Sequence, residues 1–162
     1  MTDISLDTAL QVQRRLPAAC ARVYDAWTRP EAWKQWYCVP GEGYTGRMTD
    51  FEFTPGGGYR AEMRNPNDET IVQSGTFQAI EPEQRIVFMQ VWETAIFGPD
   101  VALEETLVAV DFEALGETTR LTITHVGFPN EAVRDEHLWG WEGCLDALER
   151  FLASKSAGHR AL

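Results

Sequence analysis

Near the end of the chain, Leu138, Trp141, Leu145, Leu148 and Leu152 step by three and four, while Asp135, Glu142, Asp146, Glu149 and Arg150 lie mostly off that stripe. The spacing predicts one long amphipathic helix over 130–154. Asn130 is placed to cap it, and Glu131 suits the positive end of its dipole. What precedes the helix decides how its apolar face is buried. Phe51 and Phe53, then Tyr59, Ala61 and Met63, alternate with polar residues, and further strands are expected over 71–80, 85–93, 104–113 and 118–126. Pro55-Gly56-Gly57-Gly58, Asn65-Pro66-Asn67-Asp68, Glu81-Pro82 and Leu115-Gly116-Glu117 punctuate these runs at meander spacing. Another strand, 8–16, opens the chain. Two short helices follow it, one over 18–27 and one capped by Thr28, started by Pro30 and running to Trp36. An antiparallel sheet has one apolar face to cover, and a single long helix is the available cover. The expected fold is therefore α+β: a curved antiparallel sheet of about six to seven strands wrapped around a long C-terminal helix, with two short helices between the first two strands. One helix cannot fill a strongly curved sheet along its whole length, so a cavity between them is expected.

The 162 residues are enough for one domain, expected to span 1–162 with a core over about 8–154 and a polar tail from 154 onward. The balance of 14 Lys+Arg against 25 Asp+Glu, a net charge of −11, opposes nucleic-acid binding and docking on an anionic membrane surface, since both need clustered basic residues. The N-terminal residues lack a basic n-region and an apolar h-region, and no stretch approaches the roughly 20 apolar residues of a membrane helix. Cys20, Cys38 and Cys144 are odd in number, widely spaced and without C-x-x-C. They read as small buried thiols of a reduced, cytoplasmic protein. No metal motif and no cofactor motif is present, and none is expected to be bound.

The strand phases nominate the site. His125 falls in phase with Leu121 and Ile123 and should point toward the helix and the cavity. With an ordinary pKa of about 6.5 it is the candidate general base, if the cavity is catalytic. His137, one turn before Trp141, can reach the same region. No acid-base carboxylate pair, G-x-S-x-G nucleophile or phosphate loop accompanies them. The 18 aromatic residues exceed what a minimal core needs and suit a planar or apolar ligand. The candidate ligand-contact set is Trp36, Phe53, Tyr59, Met63, Phe77, Phe88, Trp92, His125, Trp141 and Leu145, with Trp27 and Trp33 assigned to packing the short helices.

Six short motifs stand in order over residues 10–152. Leu16-Pro17-Ala18 precedes Val23-Tyr24-Asp25-Ala26-Trp27-Thr28-Arg29-Pro30-Glu31, and Trp36-Tyr37 with Pro40 follows. Pro55-Gly56-Gly57 precedes Tyr59-Arg60, and Gly75-Thr76-Phe77 leads to Ile80-Glu81-Pro82 and Arg85-Ile86-Val87-Phe88. Thr119-Arg120-Leu121-Thr122-Ile123-Thr124-His125 and His137 with Gly140-Trp141 complete the series. Together they resemble the START-like (SRPBCC) superfamily, and within it the branch named after the activator of the Hsp-ninety ATPase. The resemblance implies a helix-grip fold and a cavity that binds a small hydrophobic or aromatic molecule. It also implies two alternatives, a polyketide cyclase/aromatase-like enzyme using His125 and a stress-related co-chaperone-type protein. Binding is favoured over catalysis, because no local catalytic signature accompanies the histidine. A chaperone partner and a homodimer stay open, with no motif for either. Glu52, Thr54 and the Asn67-Asp68 turn depart from the branch pattern, and the 94–103 loop is long.

Overall fold

The computed structural model describes residues 8–96 and 105–160. The elements run β1 (Leu10–Leu16), α1 (Cys20–Asp25), α2 (Pro30–Trp36), β2 (Thr45–Phe51), β3 (Gly58–Arg64), β4 (Thr70–Glu81), β5 (Arg85–Trp92), β6 (Thr106–Leu115), β7 (Thr118–Val126) and α3 (Glu131–Arg160). All seven strands form one antiparallel sheet in the order β1-β7-β6-β5-β4-β3-β2. Six of them follow one another as hairpins, and β1 closes the far edge by pairing with β7, Val12 opposite Ile123. The α+β helix-grip architecture is as expected, with the two short helices between β1 and β2.

The sheet turns one face to α3, and the phases explain why. Ile86 and Phe88 of β5, Val108 and Val110 of β6, and Leu121 and Ile123 of β7 are fully buried. From α3, Trp141, Leu145, Leu148 and Leu152 meet them, each less than a tenth exposed. Asn130 caps the helix, its Oδ1 accepting from the Val133 N–H at 2.9 Å.

Several boundaries differ from the sequence expectations, each for a local reason. The first helix is shorter than 18–27. Ala19 is extended and serves as its N-cap, and just past its last residue, Asp25, two carbonyls are taken by indoles of α2: Trp36 Nε1 donates to the Ala26 carbonyl at 3.0 Å and Trp33 Nε1 to the Trp27 carbonyl at 2.7 Å. Thr28 does not cap α2. Its hydroxyl donates back to the Asp25 carbonyl at 2.9 Å, and Arg29 occupies the N-cap without a side-chain bond. The strand expected around Phe51 and Phe53 lies earlier, ending at Phe51. A register shift between Met48 and Asp50 marks it, and Phe53 falls beyond it. The first strand begins at Leu10, because the Thr8 hydroxyl instead donates to the Phe128 carbonyl at 2.9 Å. The polar stretch after Ser154, expected as a tail, continues α3 to Arg160. The 94–103 loop lies outside the described residues beyond Ile96.

Two glycines of α3 are in opposite situations. A Cβ on Gly143 would overlap the Pro40 carbonyl, so the helix crosses the segment after α2 at backbone contact. A Cβ on Gly140 would meet nothing within 4 Å. Gly143→Ala is therefore expected to lower stability by about 2 kcal/mol or more through overpacking. Gly140→Ala is expected to raise it by about 0.5–1 kcal/mol through helix propensity. Urea unfolding of the two variants checks the pair, and similar midpoints would refute this packing.

Candidate functional site

The aromatic side chains divide into a packed mass and an open cleft. At the centre of the mass Trp33 of α2 is fully buried, with ring centroids 4.4 Å from Tyr37, 5.0 Å from Tyr59, 5.4 Å from Phe51 and 5.7 Å from Trp27. Phe77 and Phe88 stand behind it at 6.1 Å. Beyond Tyr37 this packing stops and a cleft of about 480 Å³ opens. Its walls are Met63, Ile71 and Trp92 from the sheet and His137, Gly140 and Trp141 from α3. Trp139 and Ile96 stand at its mouth, 53% and 37% exposed.

Tyr37, Gln73 and Gln90 form a polar floor. Gln73 Oε1 accepts from the hydroxyls of both Tyr37 and Tyr59, each at 2.6 Å, and Gln90 Nε2 donates to the Tyr37 hydroxyl at 2.9 Å. Burial holds both phenols well above their ordinary pKa, so they remain neutral donors.

Two histidines brace the helix side. Trp141 Nε1 donates to His125 Nδ1 at 3.0 Å, which places the His125 proton on Nε2, 2.7 Å from the Thr106 hydroxyl oxygen. Trp92 Nε1 donates to His137 Nε2 at 2.9 Å, and His137 Nδ1–H faces the Val133 carbonyl at 2.8 Å. The imidazole centroids are 5.1 Å apart. Burial pushes His125 well below its ordinary value, helped by its charge neighbour His137. Burial brings His137 down to about 4, with the Val133 carbonyl opposing. Both rings are neutral acceptors for indole N–H groups.

Among the sequence candidates, Met63, Trp92 and Trp141 face the cleft. Trp36, Phe77, Phe88 and Leu145 are fully buried in the packed mass. Tyr59 stands behind the floor, joined to it through Gln73. Phe53 lies away from the cleft, its ring 5.0 Å from Phe77 and 6.2 Å from Tyr24. His125 sits behind Trp141 and does not line the cleft; its Nδ1 lone pair is engaged by that indole. Tyr37, Gln73, Gln90 and Gly140 were not among the candidates. The two glutamines had a readable signal: Gln90 shares its phase with Ile86, Phe88 and Trp92, and Gln73 with Phe77, so each is a polar residue on an apolar phase. No group of three or more His, Cys, Asp or Glu among the described residues could hold a metal ion. No described helix is long and apolar enough to cross a membrane.

A seven-stranded antiparallel sheet gripping one C-terminal helix, with a cleft between them, defines a START-like helix-grip protein. The chain belongs to the family described as Activator of Hsp90 ATPase homolog 1-like protein, whose model matches residues 17–153. Solved structures share the fold at low identity. A Chromobacterium violaceum protein superposes with a TM-score of 0.79 at 21% identity, covering 91% of this chain and 98% of that one. The AHSA1 protein from Silicibacter pomeroyi gives 0.77 at 23%, covering 91% and 99%. An Arthrobacter aurescens protein gives 0.78 at 20%, covering 94% and 91%. The search of curated proteins finds no match.

Proposed function

We propose that this chain binds a small apolar or aromatic molecule in the cleft between α3 and strands β3 to β5. One observation carries the reading. The two large apolar side chains exposed among the described residues, Trp139 and Ile96, both stand at the mouth of this cleft. Exposed apolar surface rimming a concave site is the usual mark of ligand entry. A volume of about 480 Å³ is within the range of small-molecule pockets. The walls supply ring faces and a thioether, which suit planar guests.

Trp92, Trp139 and Trp141 report occupancy directly. Titration with naphthalene is expected to change the tryptophan emission saturably. Gly140 lies on the cleft face of α3 between His137 and Trp141, so Gly140→Leu fills the space a guest would use. It is expected to weaken binding at least tenfold while leaving the unfolding midpoint unchanged or higher. A non-saturating titration, or equal affinity in a folded Gly140→Leu variant, would overturn the reading.

A further inference from the structure

Two buried side-chain polar atoms lack a hydrogen-bond partner among the described residues, Trp27 Nε1 and Gln90 Oε1. The first is walled in by aromatic rings, with the centroids of Trp36, Trp33 and Phe112 4.5 to 6.2 Å away, and has no access to a guest. The second belongs to a residue only 3% exposed that lines the cleft.

The proton count of the floor shows what is left over. Separations of 2.6 Å to both phenols are short for N–H···O and normal for O–H···O, which identifies the Gln73 atom between them as its oxygen. Both phenol protons are then spent on Gln73, and the 3.1 Å contact between Tyr37 and Tyr59 has no proton of its own. Gln90 Nε2 meets the Tyr37 oxygen from the other side. The inner atoms of the two amides are thus bridged by one hydroxyl, which donates to Gln73 and accepts from Gln90. Their outer atoms, the Gln73 amino group and Gln90 Oε1, have no hydrogen-bond partner on the described protein. Both residues line the cleft, with Gln90 Oε1 buried and unpaired just beneath its surface.

Resting on the ligand-binding reading above, we propose that the cleft selects apolar ring molecules that carry a neutral hydroxyl. The hydroxyl donates its proton to Gln90 Oε1 and accepts from Gln73 Nε2, mirroring the role of Tyr37 on the inner side. A carboxylate is the wrong group. It has no proton for Gln90 Oε1, and it would enter past Glu69 and Glu136 at the lining of an already acidic chain.

A matched probe series tests this on the wild-type chain. 1-Naphthol both donates and accepts, 1-methoxynaphthalene accepts only, naphthalene does neither, and 1-naphthoate is anionic. The expected order of affinity is naphthol about tenfold above both methoxynaphthalene and naphthalene, with naphthoate weakest. In Gln90→Met the ratio of naphthol affinity to naphthalene affinity is expected to fall to about one. Naphthol and naphthalene binding equally would overturn the hydroxyl assignment and leave the binding reading standing, and so would methoxynaphthalene matching naphthol. Failure of every probe to bind would overturn the binding reading itself. Because the wild-type series decides the matter alone, a Gln90 variant that folds poorly does not remove the test.

Discussion

Trp33→Ala is expected to destabilise the protein by about 3–5 kcal/mol, the largest loss from any single core truncation. No other side chain is so central to the aromatic mass. Its ring stands between two tyrosines, Tyr37 of the cleft floor and Tyr59 behind it, and the strand rings Phe51, Phe77 and Phe88. Its N–H also holds the Trp27 carbonyl at 2.7 Å and so fixes the turn between α1 and α2. The two contributions can be separated. Trp33→Phe keeps part of the packing and loses the hydrogen bond, leaving a buried carbonyl unpaired, for an expected cost of about 1–3 kcal/mol. Chemical denaturation followed by circular dichroism reads both variants. A loss under about 1.5 kcal/mol for the alanine variant would show that the surrounding rings can collapse into the space. If Trp33→Ala folds, naphthalene-type probes should also bind less tightly, because the floor has lost the ring that backs it.

Most of the fold was legible in the sequence because most of it obeys one period. In β5 and β7 the buried side chains recur every second residue, and in α3 every third or fourth. The strand β2 was misplaced because nothing in it is fully buried. Its residues 45–51 alternate only between exposed and half-buried, as suits the edge of the sheet, and Gly46 leaves a gap where Cys38 packs. The first short helix was overextended because indole contacts from the following helix leave no local mark on it, whereas the second runs from Pro30 to Trp36 as its spacing implies. The candidate site was less legible. Aromatic residues are enriched both in the packed mass and around the cleft, so composition separates neither Phe77 and Phe88 from Trp92 nor Trp36 from Trp141. The distinction depends on which side chains face the gap between α3 and strands β3 to β5, a tertiary relation with no local mark in the sequence. His125 was correctly phased toward the helix, yet the tryptophan expected beside it in the cavity wall stands between it and the cleft. The glutamines of the floor were visible as polar breaks in apolar phases, a signal that residue-by-residue inspection for catalytic types passes over.

The same tryptophan–histidine pairs make the second large effect one of pH. In the unfolded chain both imidazoles take up protons near the ordinary value of 6.5. In the folded protein His137 resists protonation until about 4, and His125 is held well below its ordinary value. Between those limits the unfolded state binds more protons than the folded state, so stability falls as pH falls. Above 6.5 the contribution is fully present. For His137 alone the interval corresponds to a loss of about 3 kcal/mol on descending to pH 4. The structural reason is specific. A protonated imidazole carries N–H on both nitrogens, so it cannot accept from Trp92 or Trp141, and each indole bond ties the cleft together, one from the sheet to α3 and one from α3 to the sheet. Acid should therefore loosen α3 from β5 and β7 before the rest of the sheet melts. Urea midpoints measured from pH 8 to pH 4 are expected to be level down to about 6.5 and to decline steadily below it, with the emission of Trp92 and Trp141 shifting to the red ahead of the far-ultraviolet signal. His137→Gln keeps an acceptor for the Trp92 N–H and has no proton to gain, so its decline should be shallower by the His137 share. A variant that tracks the wild type through the whole interval would show that carboxylates elsewhere, and not this helix clasp, govern the acid response.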